Sequence, residues 1–288
     1  MGKTALTIEI ARHYGIPVVN ADSRQIFREL SIGTAAPTEE EMQGVRHYFV
    51  GTLSITDYYN ASMYEQDVLA LLPQLPCPYL LSGGSMMYVD AVCNGIDDIP
   101  TIRDDIRSMM KQRLADEGLQ ALTEELRRLD PEHWAIVDRK NPRRVVHALE
   151  ICHQTGCTYT SFRTRQQRER PFSIVKVGLN RQRDELYERI NRRVDLMMSQ
   201  GMLAEAETLY PQRHLNALNT VGYKELFDYI DGRWTLEEAV ERIKGNTRRY
   251  ARKQLTWLKR DPEIRWFSPD QKDDILRYID NATYTHAI

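Results

Sequence analysis

No apolar run in this 288-residue sequence approaches the roughly 18 residues that a membrane-spanning helix needs, and no secretion signal is legible at its start. A cytoplasmic protein without a membrane partner is the expectation. Neither sign of charge is in excess. The 39 basic and 41 acidic side chains leave a net charge of −2, so global basicity is excluded as a route to nucleic acid, and any positive surface must be local. Cysteine is scarce. Cys77, Cys93, Cys152 and Cys157 fit neither zinc-ligand spacing nor a secreted disulfide framework, and buried free thiols are expected instead. The scattered histidines suggest no metal site, and internal repeats and low-complexity tracts are lacking.

What is present is ordinary globular material, with 42% apolar and 28% charged residues, enough for one or two domains. The opening Met1-Gly2-Lys3-Thr4 carries the second half of the phosphate-loop pattern G-x-x-x-x-G-K-[ST]. Helix formers run from Thr4 to Tyr14 and stop at Gly15, which puts Gly2, Lys3 and Thr4 at a helix start. Open N–H groups and the positive dipole end there suit a diphosphate, Lys3 suits its charge, and the Thr4 hydroxyl suits Mg²⁺. The pattern expects one further strand upstream. A frayed terminus is the plainer alternative for so short a triplet.

Ile16–Asn20 reads as a buried strand delivering Ala21-Asp22-Ser23-Arg24-Gln25 at its carboxyl end. Ser62-x-x-Glu65 reads as a capping box for a helix to Leu72, followed by a strand from Pro78 to Ser82 that empties into Gly83-Gly84-Ser85. Alternating strands and helices imply a parallel sheet, whose ligands collect beyond the carboxyl ends of the strands, so Asp22, Ser85 and Lys3 should share one mouth. An N-cap role for Asp22 or Ser85 is the structural alternative.

From Thr101 to about Arg170 the pattern is helical only, with Thr101 and Asn141 as caps, Pro142 at a first helical position, and Gly118 and Gly156 as stops. Ser173–Leu179 reads as a returning sheet strand. Helices follow over 183–200, ended by Gly201, over 221–231, and over 236–259 behind the box Thr235-x-x-Glu238. The fold class is therefore α/β: a phosphate-loop-type parallel-sheet core flanked by helices (1–100 and 171–288) with an all-helical insertion (101–170).

Positive charge is local, as required. Residues 240–265 hold nine lysines and arginines against three acids, with Tyr250 and Trp257 interleaved; a solvated face is the plainer reading of any one such run, and it is three clusters together that suit single-stranded RNA. Further clusters are Arg163, Arg165, Arg168 and Arg170, and the stretch from Arg181 to Arg193.

Taken in order, Gly2-Lys3-Thr4, Ala21–Gln25, Ile32-Gly33-Thr34-Ala35-Ala36-Pro37, Gly83-Gly84-Ser85-Met86-Met87-Tyr88, Asn141-Pro142-Arg143-Arg144, Thr220-Val221-Gly222-Tyr223-Lys224 and 252–259 resemble the tRNA dimethylallyltransferase (tRNA isopentenyltransferase) family. The resemblance spans essentially the whole chain. It implies transfer of a dimethylallyl group from dimethylallyl diphosphate to N6 of the adenosine beside the anticodon, with Mg²⁺ as cofactor, in a monomer. It gives Asp22 the role of proton acceptor, places Ser85 near the reacting centre, and adds Arg193 to Gly2, Lys3 and Thr4 on the diphosphate. Ser23, Arg24 and Gln25 would position a flipped adenosine. Arg143, Arg144 and His147, then Thr220, Gly222, Tyr223 and Lys224, then Arg252, Lys253, Gln254, Trp257 and Lys259 would touch the anticodon stem-loop, although His147 stands where a basic residue is expected.

Two other readings stay open. A phosphate-loop kinase or NTPase shares the Gly-Lys-Thr triplet, but the strand at Tyr79-Leu80-Leu81 ends without the acid that holds Mg²⁺ in nucleotide hydrolases. A tRNA-binding protein impaired in catalysis is the other, since half a phosphate loop offers fewer N–H donors.

Overall fold

The computed structural model describes residues 2–164 and 168–285, so Arg165 lies outside the described residues. The chain divides into two compact units, one holding the described residues of Met1–Cys93 and Arg170–Ile288, the other those of Asn94–Glu169.

In the first unit, α1 (Lys3–Tyr14) buries Leu6, Ile8, Ile10 and Ala11 and is closed by Gly15 in the left-handed conformation. Gly2 precedes it at φ 91° with no side-chain cap, which leaves first-turn N–H groups open to a ligand. Strand β1 (Val18–Asn20) is buried along its whole length, as the continuous apolar run predicts. It is the middle of a three-stranded parallel sheet, with β2 (His47–Tyr48) on one side and β3 (Leu80–Ser82) on the other. Asn20 is level with Ser82, so the two strands deliver their following loops at the same height. A short α2 (Glu39–Met42) precedes β2, while α3 (Ala61–Leu71) and α4 (Met86–Asn94) flank β3. The Ser62-x-x-Glu65 box does not form. Asn60 caps α3 through Met63 N–H, and Glu65 is instead drawn into a buried ion pair with Arg170 at 2.6 Å.

The second unit is helical throughout: α5 (Asp104–Leu129), α6 (Pro131–Ile136), α7 (Pro142–Thr155) and α8 (Tyr159–Phe162). Met110, Leu122, Leu126, Val145, Ala148 and Leu149 form its core. Gly118, at φ 79° and ψ 167°, breaks α5 into two helical stretches, as a stop there predicts, and Arg103 rather than Thr101 stands at the cap position. Buried Asp130 staples the unit, accepting from His133 N at 2.9 Å, Thr160 N at 2.8 Å and Thr160 Oγ1 at 2.7 Å. Burial alone would push its carboxyl up, but these bonds win and lower it.

Back in the first unit, the returning strand is shorter than expected. β4 (Val177–Leu179) pairs in parallel with β5 (Arg265–Phe267) as a second sheet rather than with β1 or β3. Leu80 of β3 and Val177 and Leu179 of β4 nevertheless pack against one apolar cluster with Leu6 and Ile10. Helices α9 (Arg183–Ser199), α10 (Met202–Leu209), α11 (Tyr223–Ile230), α12 (Leu236–Leu258) and α13 (Lys272–Thr285) complete the unit. The Thr235–Glu238 box forms as its spacing predicts, with both reciprocal bonds present. Tyr223, Leu226, Met202, Leu218, Ile26 and Leu30 are fully buried together. Cys77, Cys93, Cys152 and Cys157 are free, but only Cys152 is buried.

A β-carbon at Gly83 would collide with the Ala21 backbone, which cannot yield because Ala21 N is bonded to Ser82 O at 2.9 Å. Gly83→Ala is therefore expected to destabilise the fold by at least about 1–3 kcal/mol, as overpacking does, read as a lower denaturant midpoint at unchanged slope.

Candidate active site

The two loops that leave β1 and β3 lock into each other. Ser85 N donates to Ala21 O at 3.0 Å, and the buried Ser85 hydroxyl accepts from Ser23 N at 2.7 Å while donating to Ser23 Oγ at 2.9 Å. Between these contacts Asp22 turns back on its own chain, one carboxylate oxygen accepting from Arg24 N at 2.9 Å and Gln25 N at 3.3 Å. This turn fixes the carboxylate by backbone geometry rather than by a flexible partner. Beneath it, Tyr64 donates to Asn20 O at 2.9 Å and stacks on Tyr88 at 4.2 Å between ring centroids.

Three cations, Lys3, Arg24 and Arg193, feel the charge of Asp22, and burial is the foremost cause lowering the pKa of all three. For Lys3 the neighbouring Arg193 lowers it further while Asp22 opposes the shift. Positive charge outweighs negative in a partly desolvated place, which is the arrangement that gains most from an arriving anion. Arg193 reaches the carbonyls of Thr34 and Ala35 only at 3.4 and 3.5 Å, whereas Gln25 Nε2 donates to the same two carbonyls at 3.1 and 3.0 Å. From α12, Gln254 Nε2 donates to Gly84 O at 2.6 Å and Tyr250 OH to the same oxygen at 3.4 Å. The Lys3 ammonium lies 3.9 Å from where a Gly84 β-carbon would stand.

Residues expected at RNA fare unevenly. Arg143, Arg144, Lys224, Arg252, Lys253 and Lys259 are exposed. Tyr223 and Gly222 are buried and do not reach the surface, Thr220 is half-buried, and Gln254 is engaged with Gly84. Trp257 donates to Asp90 at 3.0 Å and lies under Arg260. His147 is half-buried, 3.5 Å from Glu150 and edge-on to Tyr159. Among the described residues of the 163–170 cluster, Arg168 is exposed while Arg163 and Arg170 are partly buried. Arg163 sits against His133 and Tyr159, Arg168 packs at Gly95, and Arg170 is buried on Glu65 and Ala91 O. Arg181 and Arg192 are likewise paired with acids, Arg181 with Asp270 and Glu185, Arg192 with Glu188.

Sequence reasoning overlooked Glu205, whose carboxylate gathers the loop at Ser31–Gly33. A signal was available: Met202, Glu205, Ala206 and Leu209 recur at i, i+3, i+4 and i+7, which puts an acid inside the buried stripe of α10.

Residues 25–261 match the family model for IPP transferase. The chain belongs to the IPP transferase family. Among relatives in that family, tRNA dimethylallyltransferase 1 of Phocaeicola vulgatus is 59% identical over 287 residues, 99% of this chain and 96% of that protein. Its counterpart in Bacteroides thetaiotaomicron is 57% identical over 289 residues, 99% of this chain and 94% of that protein. The solved full-length tRNA isopentenylpyrophosphate transferase of Bacillus halodurans superposes with a TM-score of 0.71 at 32% identity, covering 100% of this chain and 96% of that one. The α/β fold with its parallel sheet is that of the family.

Ser85→Ala would leave Ser23 N–H without its partner. A loss of about 1–3 kcal/mol in denaturant-derived stability is expected from an orphaned, part-buried donor, and an unchanged midpoint would contradict the interlock.

Proposed function

We propose that this chain is a tRNA dimethylallyltransferase, transferring the dimethylallyl group of dimethylallyl diphosphate to N6 of the adenosine beside the anticodon. The observation that carries this reading is one backbone-fixed carboxylate, Asp22, beyond the carboxyl end of a parallel strand, with its charge felt by Lys3, Arg24 and Arg193.

The chemistry asks for this set. Breaking the allylic C–O bond leaves negative charge on the departing diphosphate. Lys3, Arg193 and the open N–H groups at the start of α1 are the donors that would receive it, at fixed positions that need no reorganisation. As adenine N6 bonds to the allylic carbon it must shed a proton, and Asp22 is the acceptor. Ser85 holds the Asp22 turn through Ser23, and Gln25 and Arg24 flank the place of the incoming base.

Among the described residues no group of three or more His, Cys, Asp or Glu could hold a metal ion. The exposed Thr4 hydroxyl, followed by diphosphate oxygens and water, nevertheless suits Mg²⁺, which takes few protein ligands at phosphate sites. Bound there, the ion would neutralise diphosphate charge. Arg252 and Lys253 on α12, Lys259 just past its end, Lys224 on α11, and Arg143 and Arg144 on α7 of the helical unit supply exposed charge for an RNA backbone.

Incubating the purified protein with unmodified tRNA, dimethylallyl diphosphate and magnesium, then weighing the nucleosides, tests the reading. Isopentenyladenosine is expected. Binding of tRNA without product would instead make this an RNA-binding member of the family, and ATP turnover alone an NTPase. Asp22→Ala is expected to lower transfer by about 10²–10⁴-fold while tRNA affinity stays within a few-fold, since a general base acts on the reaction and not on docking. Exchanging Arg252 and Lys253 for glutamine is expected to flatten the dependence of log affinity on log salt by about 0.7–0.9 for each phosphate no longer neutralised. An unchanged slope would mean that both face water.

A further inference from the structure

One side chain outside the cation cluster grips the loop whose carbonyls are approached by Arg193, a member of that cluster, and by its neutral neighbour Gln25. Glu205, on α10, receives four hydrogen bonds. One carboxylate oxygen accepts from Ser31 Oγ at 3.0 Å and Ile32 N at 2.9 Å, the other from Gly33 N at 2.8 Å and Tyr223 OH at 2.5 Å. Tyr223 is fully buried and its hydroxyl is held protonated, burial first and Glu205 next raising its pKa. The fit leaves no spare room, because a β-carbon at Gly33 would stand 2.6 Å from the Tyr223 ring.

The loop thus gripped by its N–H groups turns at once to present carbonyls the other way. Ala35 sits at φ 46°, a left-handed conformation that an alanine keeps only when its surroundings impose it. Ala35 N and Ala36 N close the turn onto Ile32 O and Ser31 O at 2.9 and 3.0 Å. The Thr34 and Ala35 carbonyls are thereby fixed where Gln25 Nε2 and the Arg193 guanidinium approach them.

We infer that Glu205, with Tyr223, is a positioning residue for the anion site: by clamping the 31–36 loop it sets the carbonyl pair that orients Arg193 and Gln25. This rests on the proposed function for what the anion is, a diphosphate, but not for the clamp. It also gives buried Tyr223 a task that contact with tRNA cannot be.

Glu205→Gln tests it. The variant keeps the side-chain shape but turns one acceptor into a donor facing N–H groups that need acceptors. Calorimetric titration with inorganic diphosphate is expected to show affinity lowered about tenfold or more, and kcat for prenyl transfer should fall by at least as much with the tRNA KM within about threefold. The decisive comparison is the same exchange in an Arg193→Gln background. A further loss below about threefold there supports action through Arg193, because residues working as one unit are non-additive. The full loss repeated in that background, or unchanged diphosphate affinity with Arg193 present, overturns the inference. Should Glu205→Gln fail to fold, Tyr223→Phe removes a single hydroxyl from the clamp and is read by the same pair of titrations, with a smaller but equally Arg193-dependent loss. If the parent protein transfers no prenyl group, the proposed function falls while the diphosphate titrations still decide the clamp.

Discussion

Ala21 and Gly83 lie against each other with no space for a side chain between them. Nearly everything at the site follows from that approach. The β1–β3 register brings Asn20 level with Ser82, and the missing β-carbon lets the succeeding backbones touch. Ser85 N can then bond to Ala21 O and the Ser85 hydroxyl to Ser23. Asp22 is caught between two fixed neighbours, and its carboxylate acquires one direction. A parallel pair cannot be pinned by a tight hairpin, so contact between the loops that leave the strands is the available means of coupling them.

The electrostatic arrangement has the same economy. Lys3 arrives from the first turn of α1, Arg24 from the loop after β1 and Arg193 from α9, so no single element carries the cluster. Lys3 is repelled by Arg193, and burial is the first cause that lowers the pKa of all three. Asp22, joined by Glu41 at Arg193, offsets part of it. Residual positive potential of this kind is a store of binding energy for an anion whose charge grows during the reaction.

Much of the fold was legible because short-range rules and tertiary context agreed. The apolar run Ile16–Asn20 holds a buried strand in its last three residues, Gly15 closed α1, and Thr235 with Glu238 capped α12. Where the two disagreed, the long-range partner prevailed. Ser62 and Glu65 have capping-box spacing, but Arg170 takes Glu65 from 105 positions away and Asn60 supplies the cap. Gly201 read as an ending, yet at φ 101° it also starts α10, so that helix and its Glu205 passed unseen. β5 is three residues in a charged stretch, too short for any period to show. The candidate site was legible in the strand-end motifs of Asp22 and Ser85 and in the helix start at Lys3. Within the charge run at 163–170, Arg170 folds inward onto Glu65, a partner that the run itself does not reveal.

Helix α12 spans 23 residues, and its two sides face different tasks. Tyr250, Gln254 and Trp257, spaced by four and three, grip Gly84 and Asp90, while Arg252, Lys253 and Lys259 project into solvent. The two sides share one backbone, so a substitution that unwinds α12 would disturb the hold on Gly84 and the display of exposed charge together.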